Sequence, residues 1–272
     1  MTPRQIAKPL IHEDSIISSW GADLYDLHET GEDDVQFLLS IIGPAPRRVL
    51  EVACGSGRIL VPLAKAGHAV SGFDADEYML AKISAKAEGL SNIEWQKADA
   101  AVDEWGTNFD VVVLAGNILF NIVTDMDYAK AQEQFIRKAA AALVPGGQIY
   151  VEYQPGGHPL TRPESSFSGG VARVIWEGID HGGNHGRMTI IAGNYDATTQ
   201  LDHFTRRFEI TLKSGETVLR DIPCVKHAAK LDQLRGWLRN AGFTIEFEYG
   251  DFSGGPIRDD SVRAIIYARK CE

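Results

Sequence analysis

The segment that most constrains this chain is Val49-Leu50-Glu51-Val52-Ala53-Cys54-Gly55-Ser56-Gly57-Arg58, followed at the end of a second apolar stretch by Asp74. An apolar strand, Arg48 to Val52, carries an acid at its end and gives way to a loop of small residues punctuated by glycine. Ile59, Leu60, Leu63 and Ala64 then recur at helical spacing. Glycine lets the backbone turn sharply and lets a ligand come close to it. Strand, glycine loop, helix, strand and acid together describe the ligand crevice of a doubly wound α/β sheet.

Two phosphate-binding readings of this loop fail. A dinucleotide fingerprint needs a third glycine, and Leu60 stands there; the P-loop pattern G-x-x-x-x-G-K-[ST] is absent. Glu51 belongs to neither motif. Further along, Val70-Ser71-Gly72-Phe73-Asp74 reads as a second strand ending in an acid, and Asp76 to Leu80 open a helix. Asn92 to Gln96 form a third strand, followed by Lys97-Ala98-Asp99-Ala100. Phe109 to Ala115 are apolar enough for a strand buried on both faces. Leu143-Val144-Pro145-Gly146-Gly147 turns into a fifth strand that reaches Val151. Ala241-Gly242-Phe243 leads into another, and Tyr249-Gly250-Asp251-Phe252 precedes a last one over Val262–Lys270.

In this order the motifs resemble the class I S-adenosylmethionine-dependent methyltransferases of small-molecule type, whose motif I is written [ED]-x-[GA]-x-G-x-G. The resemblance covers most of the chain outside residues 1–40 and about 156–228. It implies S-adenosyl-L-methionine as cofactor, held by Glu51, Ala53, Gly55, Gly57, Asp74, Ala75, Met79, Asp99 and Ala100. In the family the acid after the second strand meets the ribose hydroxyls and the acid after the third meets the adenine amino group; here these are Asp74 and Asp99. A sulfonium cofactor has no phosphates, so the glycine loop need only admit its methionine moiety, with Glu51 near the ammonium.

The expected fold is α/β: a Rossmann-like doubly wound, mostly parallel sheet with an antiparallel closing strand, an N-terminal helical cap and an inserted small antiparallel β-sheet. Residues 1–45 form the cap, with an amphipathic helix over Asp34–Ile42 stopped by Gly43-Pro44. Residues 46–155 and 229–272 form the cofactor-binding core, whose strand–helix alternation implies parallel pairing. Residues 156–228 form the insertion: a Gly-, Pro- and Ser-rich loop over 156–170, then strand-like runs at Val171–Glu177, Arg187–Tyr195, Gln200–Leu212 and Thr217–Pro223. A helix follows over Lys230–Asn240. Because the insertion leaves the sheet at the carboxyl end of a strand, it can roof the acceptor site, pair with another subunit, or do both.

A net charge of −10, from 27 basic and 37 acidic residues, opposes an extended nucleic-acid footprint. The family's [DN]-P-P-[FY] element for amide or adenine nitrogens is absent, and no Pro-Cys nucleophile is placed as in cytosine-C5 enzymes. The expected partner is a small-molecule acceptor, with no nucleic acid, no membrane and a homodimer as an open option. Cys54, Cys224 and Cys271 have neither metal nor disulfide spacing, and no metal is expected. Met1–Gln5 show no apolar signal core, so the cytoplasm is the expected compartment.

Methyl transfer is an in-line displacement in which the protein supplies orientation, and a general base is optional. Candidate catalytic groups are Tyr25, from a Tyr-Asp pair that in the resembled family folds over the ligands; Asn117, after the fourth strand; and His203, whose imidazole titrates near neutrality. His203, Thr205, Arg207 and Glu209 share one strand face, with Phe204, Phe208 and Ile210 on the apolar side. Trp20, Phe120 and Tyr153 are candidate walls of the acceptor pocket. Trp20 and Tyr25 either anchor the cap or reach the ligands, and Asn117 either holds a ligand or caps its loop. Two other readings keep the fold: non-methyl chemistry on the same sulfonium, or a non-catalytic methyltransferase-like partner subunit.

Overall fold

The structure is a computed structural model that describes residues 10–155, 172–259 and 261–272. The start of the expected cap, the loop over 156–170 and the first residue of the Val171–Glu177 run therefore lie outside the described residues.

The chain opens with two helices, α1 (Leu10–His28) and α2 (Asp33–Ile42). Gly43, at φ 77°, ends α2 and donates its N–H to the Leu39 carbonyl, as a left-handed C-terminal residue does. The alternating core then runs β1 (Arg48–Val52), α3 (Leu60–Lys65), β2 (Ala69–Asp74), α4 (Glu77–Leu80), α5 (Ile83–Lys86), β3 (Ile93–Lys97), β4 (Phe109–Leu114), α6 (Ile118–Asn121), α7 (Tyr128–Ala142) and β5 (Leu143–Tyr153). The insertion contributes β6 (Ala172–Ile179), β7 (His185–Asp196), β8 (Leu201–Thr211) and β9 (Thr217–His227); α8 (Leu231–Asn240), β10 (Phe243–Tyr249) and β11 (Ala264–Lys270) close the chain.

Seven strands form one sheet in the order β10-β11-β5-β4-β1-β2-β3. β3, β2, β1, β4 and β5 are parallel, and β11 and β10 run antiparallel beside β5. The order reverses between β1 and β4, so the loops after these two strands flank the crevice where ligands bind in such sheets.

Strand alternation explains the two cores. In β4, Val112 and Leu114 face a cluster with Phe135, Ile136 and Ala139 of α7, while Val111 and Val113 face one with Leu38 of α2 and Leu60 of α3. All four β4 side chains have no exposed surface. Complete burial of such a side chain contributes about 1.5–3 kcal/mol. The Pro-Gly-Gly segment is part of β5 rather than a turn ahead of it. α7 stops where Leu143 takes an extended conformation, one residue ahead of Val144, whose helical conformation Pro145 disfavours. The excess length shows as a register shift between Phe109 and Val111 where β4 pairs with β5.

The insertion is a separate antiparallel sheet in the order β6-β7-β8-β9. Its last strand runs beyond the expected Pro223 to His227, because Cys224 to His227 continue pairing with Phe204 to Leu201. α1 lies on this sheet where two glycines face each other. Gly178 and Gly186 are register partners; a Cβ on Gly178 would lie 2.8 Å from Leu24, and one on Gly186 would lie 2.9 Å from Trp20. The missing side chains make the bed for the helix. Among the described residues no helix is long and apolar enough to cross a membrane.

Candidate functional site

The loop after β1 is held in a tight left-handed path, with Ala53 at φ 57°, Gly55 at 53° and Gly57 at 79°. A Cβ on Gly55 would approach Met79 Cε to 3.1 Å, so the loop and the start of α4 touch. Asp74 joins the two strand ends: one carboxylate oxygen accepts the Gly55 N–H at 2.9 Å and the other accepts the Asp76 N–H at 2.8 Å. Asp76 in turn caps α4 by accepting the Tyr78 N–H at 2.9 Å. Burial raises the Asp74 pKa, opposed by those backbone donors. Cys54 packs against Gly72 with its thiol pushed up by burial, then by Glu51 and Asp74, so it is an inert filler.

Glu51 sits behind this loop with 4 % of its surface exposed, and its Oε2 is buried without a hydrogen-bond partner. Burial pushes its pKa well above the usual range; Arg58 opposes this and the Asp74 charge adds to it. A buried carboxylate without a partner is costly. A cationic ammonium placed here would satisfy it.

A cavity of about 240 Å³ opens beside β2 and β3, lined by Ala53, Asp74, Ala75, Asp99, Ala100 and Ile122 among others. The loop bearing Asp99 is pinned from below. Lys138 of α7 donates to the carbonyls of Ala100, Ala101 and Asp103 at 3.0, 3.1 and 2.8 Å, and Trp105 Nε1 donates to Ala100 at 3.0 Å. Trp105 packs edge-on to Phe135 and tilted against Phe73. Asp99 accepts the Ala101 N–H through one oxygen. The acid behind the glycine loop, the acid at the end of β2 and the acid at the end of β3 thus match the ammonium, hydroxyl and amine donors of S-adenosylmethionine, and the residues present fit that group.

The loop after β4 is clamped by β5 and β11. Arg263 pairs with Glu152 at 3.0 Å, and Glu152 accepts the Gly116 N–H at 3.0 Å. Asn117 takes a left-handed conformation (φ 57°), and its Oδ1 accepts the Gln154 N–H at 3.0 Å. The far end of α6 is held by Gln132, which donates to the Leu119 carbonyl at 2.9 Å, and by Lys226, which donates to the Asn121 carbonyl at 2.9 Å.

From the cap, Asp26 accepts the Ser56 hydroxyl at 2.5 Å and a Lys86 N–H at 2.8 Å. The Tyr25 hydroxyl accepts from Arg58 Nε at 3.3 Å, and Arg58 pairs with Asp34 at 2.5 Å. Burial raises the Tyr25 pKa, so it stays a neutral phenol. Asp23 binds Lys82 and accepts the His181 N–H of the insertion at 2.8 Å. The cap therefore reaches both the cofactor loop and the inserted sheet.

Four expected site residues are placed elsewhere. Trp20 has no exposed surface and packs edge-on to Phe208, 6.4 Å between centroids. Phe120 is buried in the core, and Ile118 and Ile122 of the same segment line the cavity instead. Tyr153 is 1 % exposed, with its hydroxyl donated to the Ala229 carbonyl at 3.1 Å. His203 lies on the face of β8 opposite Phe204, Phe208 and Ile210, and these three pack into the core with Trp20 and Leu119. Its imidazole is therefore on the side turned away from the cleft. Arg58, Lys138 and Gln132 were missed. The Arg directly after Gly57 was a usable signal; the others act on backbone groups and leave no motif.

A family profile described as a methyltransferase domain matches residues 49–147. A putative methyltransferase of Geobacillus sp. strain WCH70 is 24% identical over 225 residues, 82% of this chain and 85% of that protein. The CcbJ methyltransferase of Streptomyces caelestis superposes with a TM-score of 0.68 at 21% identity, covering 93% of this chain and 98% of that one. The sugar N-methyltransferase KedS8 of Streptoalloteichus sp. ATCC 53650 gives a TM-score of 0.65 at 16% identity, over 100% and 97% of the two chains. At these identities the structural likeness is one of fold.

Proposed function

We propose, from the methyltransferase-domain profile over residues 49–147 and the methyltransferase relative, that this chain is an S-adenosylmethionine-dependent methyltransferase that methylates a nitrogen of a small molecule. The observation that carries this reading is the make-up of the cavity wall. Among the described residues that line it, the ionisable ones are Asp74 and Asp99, which the family pattern assigns to ribose and base. The wall that follows β4 presents Ile118, Asn121, Ile122 and Val123, none of which takes a proton near neutrality. An amine that arrives unprotonated needs no base, whereas a hydroxyl generally does. The solved fold neighbour named as a sugar N-methyltransferase supports nitrogen as the acceptor atom. The net charge of −10 supports a small acceptor over a phosphate backbone.

The bound cofactor supplies an electrophilic methyl group on a sulfonium, so the protein's task is alignment and exclusion of water. In this reading Glu51 holds the ammonium, Asp74 the ribose hydroxyls and Asp99 the base amine. Ala53, Ala75 and Ala100 let the ligand lie flat against backbone. Ile118 and Ile122 keep the transfer region dry, and the clamp of Arg263, Glu152 and Asn117 sets their distance from the glycine loop.

The test is in two stages. Thermal shift with S-adenosylmethionine, S-adenosylhomocysteine and NAD comes first; a ligand at about 100 times its dissociation constant stabilises by about 2.7 kcal/mol. Stabilisation by the sulfur pair and not NAD is expected. Matched amines and alcohols are then screened for S-adenosylhomocysteine release. Turnover confined to alcohols would overturn nitrogen as acceptor, and methylthioadenosine as product would reveal non-methyl chemistry.

A further inference from the structure

The inserted sheet turns one face toward the core, and that face changes character along its length. The pairing register places Met188, Phe208 and Arg220 in one row, Ile190, Arg206 and Ile222 in the next, Ala192, Phe204 and Cys224 beyond, then Tyr195, Asp202 and Lys226. The end near Gly186 is apolar and covered by Trp20 and Leu24 of α1. The other end is polar, although Asp202 has no exposed surface and Lys226 only 5 %. A sheet face that serves only as packing surface has no use for such groups.

Lys226 fixes where this polar end lies. Its ammonium donates to the carbonyls of Asn121 and Ile122, and these two residues line the cofactor cavity. Lys226 also has Asp202 directly across the sheet. Arg206 has no such settlement. Its Nε is buried without a hydrogen-bond partner. Its guanidinium lies 5.8 Å from the Phe204 ring centroid, and among the described residues no carboxylate forms an ion pair with it. The guanidinium is close enough to Lys226 to add to the effect of burial, which lowers the Lys226 pKa to about 8. A fixed cation, half-buried beside a second cation and short of a partner, is a site prepared for an anion.

We propose that the inner face of the inserted sheet recognises the methyl acceptor, and that Arg206 pairs with an oxyanion the acceptor carries, a carboxylate or a phosphoryl group. The proposal deepens the methyltransferase reading above and rests on it. Arg206 then acts as a specificity residue: it anchors the acceptor's charged end so that its nitrogen lies at the cavity wall formed by Ile118 and Ile122. A planar guanidinium suits either oxyanion through paired N–H donors.

The experiment titrates inorganic phosphate, and separately acetate, by calorimetry into the protein saturated with S-adenosylhomocysteine. The wild type is expected to bind one of the two saturably, and the preferred anion identifies the acceptor's group. Arg206→Gln is expected to weaken that binding at least tenfold while S-adenosylhomocysteine affinity stays within twofold. Arg206→Lys, which keeps the charge but not the fork, should retain intermediate binding and serves if the Gln variant does not fold. Absence of binding by both anions, or unchanged anion binding in Arg206→Gln, overturns the proposal. So does a loss of S-adenosylhomocysteine affinity in that variant, which would assign Arg206 to the cofactor. If S-adenosylhomocysteine itself fails to bind the wild type, the cofactor reading fails and the anion titration of the free protein still judges Arg206.

Discussion

In the proposed reading, Glu51 is the residue at which ligand binding and protonation meet. In the free protein burial holds its carboxyl well above the ordinary value of 4.5, so the folded state keeps a proton that the unfolded chain has released. For such a raised acid, the stabilising contribution is complete below 4.5 and is lost as pH rises through the folded pKa. A bound ammonium reverses the preference, because it favours the ionised carboxylate. Affinity for S-adenosylhomocysteine is therefore expected to rise with pH until the free protein's Glu51 ionises. Glu51→Gln should flatten that profile and weaken binding about tenfold, the scale of one charged hydrogen bond. Calorimetric titrations across pH check both, and a wild-type profile as flat as the variant's would refute the assignment. The positions of Ala53, Asp74, Ala75, Asp99 and Ala100 around one cavity were legible because their spacing is fixed by strand ends. The aromatic candidates were not, because Trp20, Phe120 and Tyr153 supply packing area, a use that sequence does not distinguish from lining a pocket.

At the scale of elements, two contacts control the cleft from behind. Lys138 places one ammonium against three carbonyls of the loop that carries Asp99. Lys138→Met keeps the stem and removes the donors; a three- to thirtyfold loss of S-adenosylhomocysteine affinity is expected, equivalent to about 0.7–2 kcal/mol, with little change at the Glu51 end. Unchanged affinity would show that Trp105 alone suffices. The second contact is the glycine bed under α1. Gly186→Val should cost about 1–3 kcal/mol by overpacking and also weaken cofactor binding, since α1 carries Asp26 and Tyr25 to the cofactor loop. Thermal melts with and without ligand separate the two effects. The core strands were readable from apolar periodicity, and the inserted sheet from its turns. Which of its faces meets the core was not settled by alternation alone, because alternation defines two faces without ranking them. That is how His203 came to be expected in the cleft; the Phe204, Phe208 and Ile210 face prevails because it buries more apolar surface. Lys138, Gln132 and Lys226 escaped for another reason: their partners are main-chain carbonyls, which every sequence offers.

For the molecule as a whole, two enclosed imidazoles set an acid limit. His68 is 1 % exposed and His227 is 6 % exposed. Burial lowers the pKa of each, with Arg47 adding to the effect at His68. The unfolded chain thus binds more protons than the native one as pH falls through 6.5, and stability must fall with it. The denaturation midpoint is expected to drop between pH 7 and pH 5.5, and His68→Asn should reduce that slope. An unaltered slope in that variant would place the sensitivity elsewhere.

The helix laid on the glycine pair has a mechanical consequence. α1 grips the inserted sheet through shape, with Trp20 and Leu24 seated where Gly178 and Gly186 leave room. It grips the core through charge, with Asp23 on Lys82 and Asp26 on Lys86. Sulfate strengthens the first grip, whereas the second is screened only in part because Asp23 is 6 % exposed. Trp20 and Leu24 also share one apolar cluster with Phe204, Phe208, Leu119 and Phe135, so helix, inserted sheet and core close together. Concentrated sodium sulfate should therefore raise the thermal midpoint of the whole molecule in one transition, and a separate early transition would refute this.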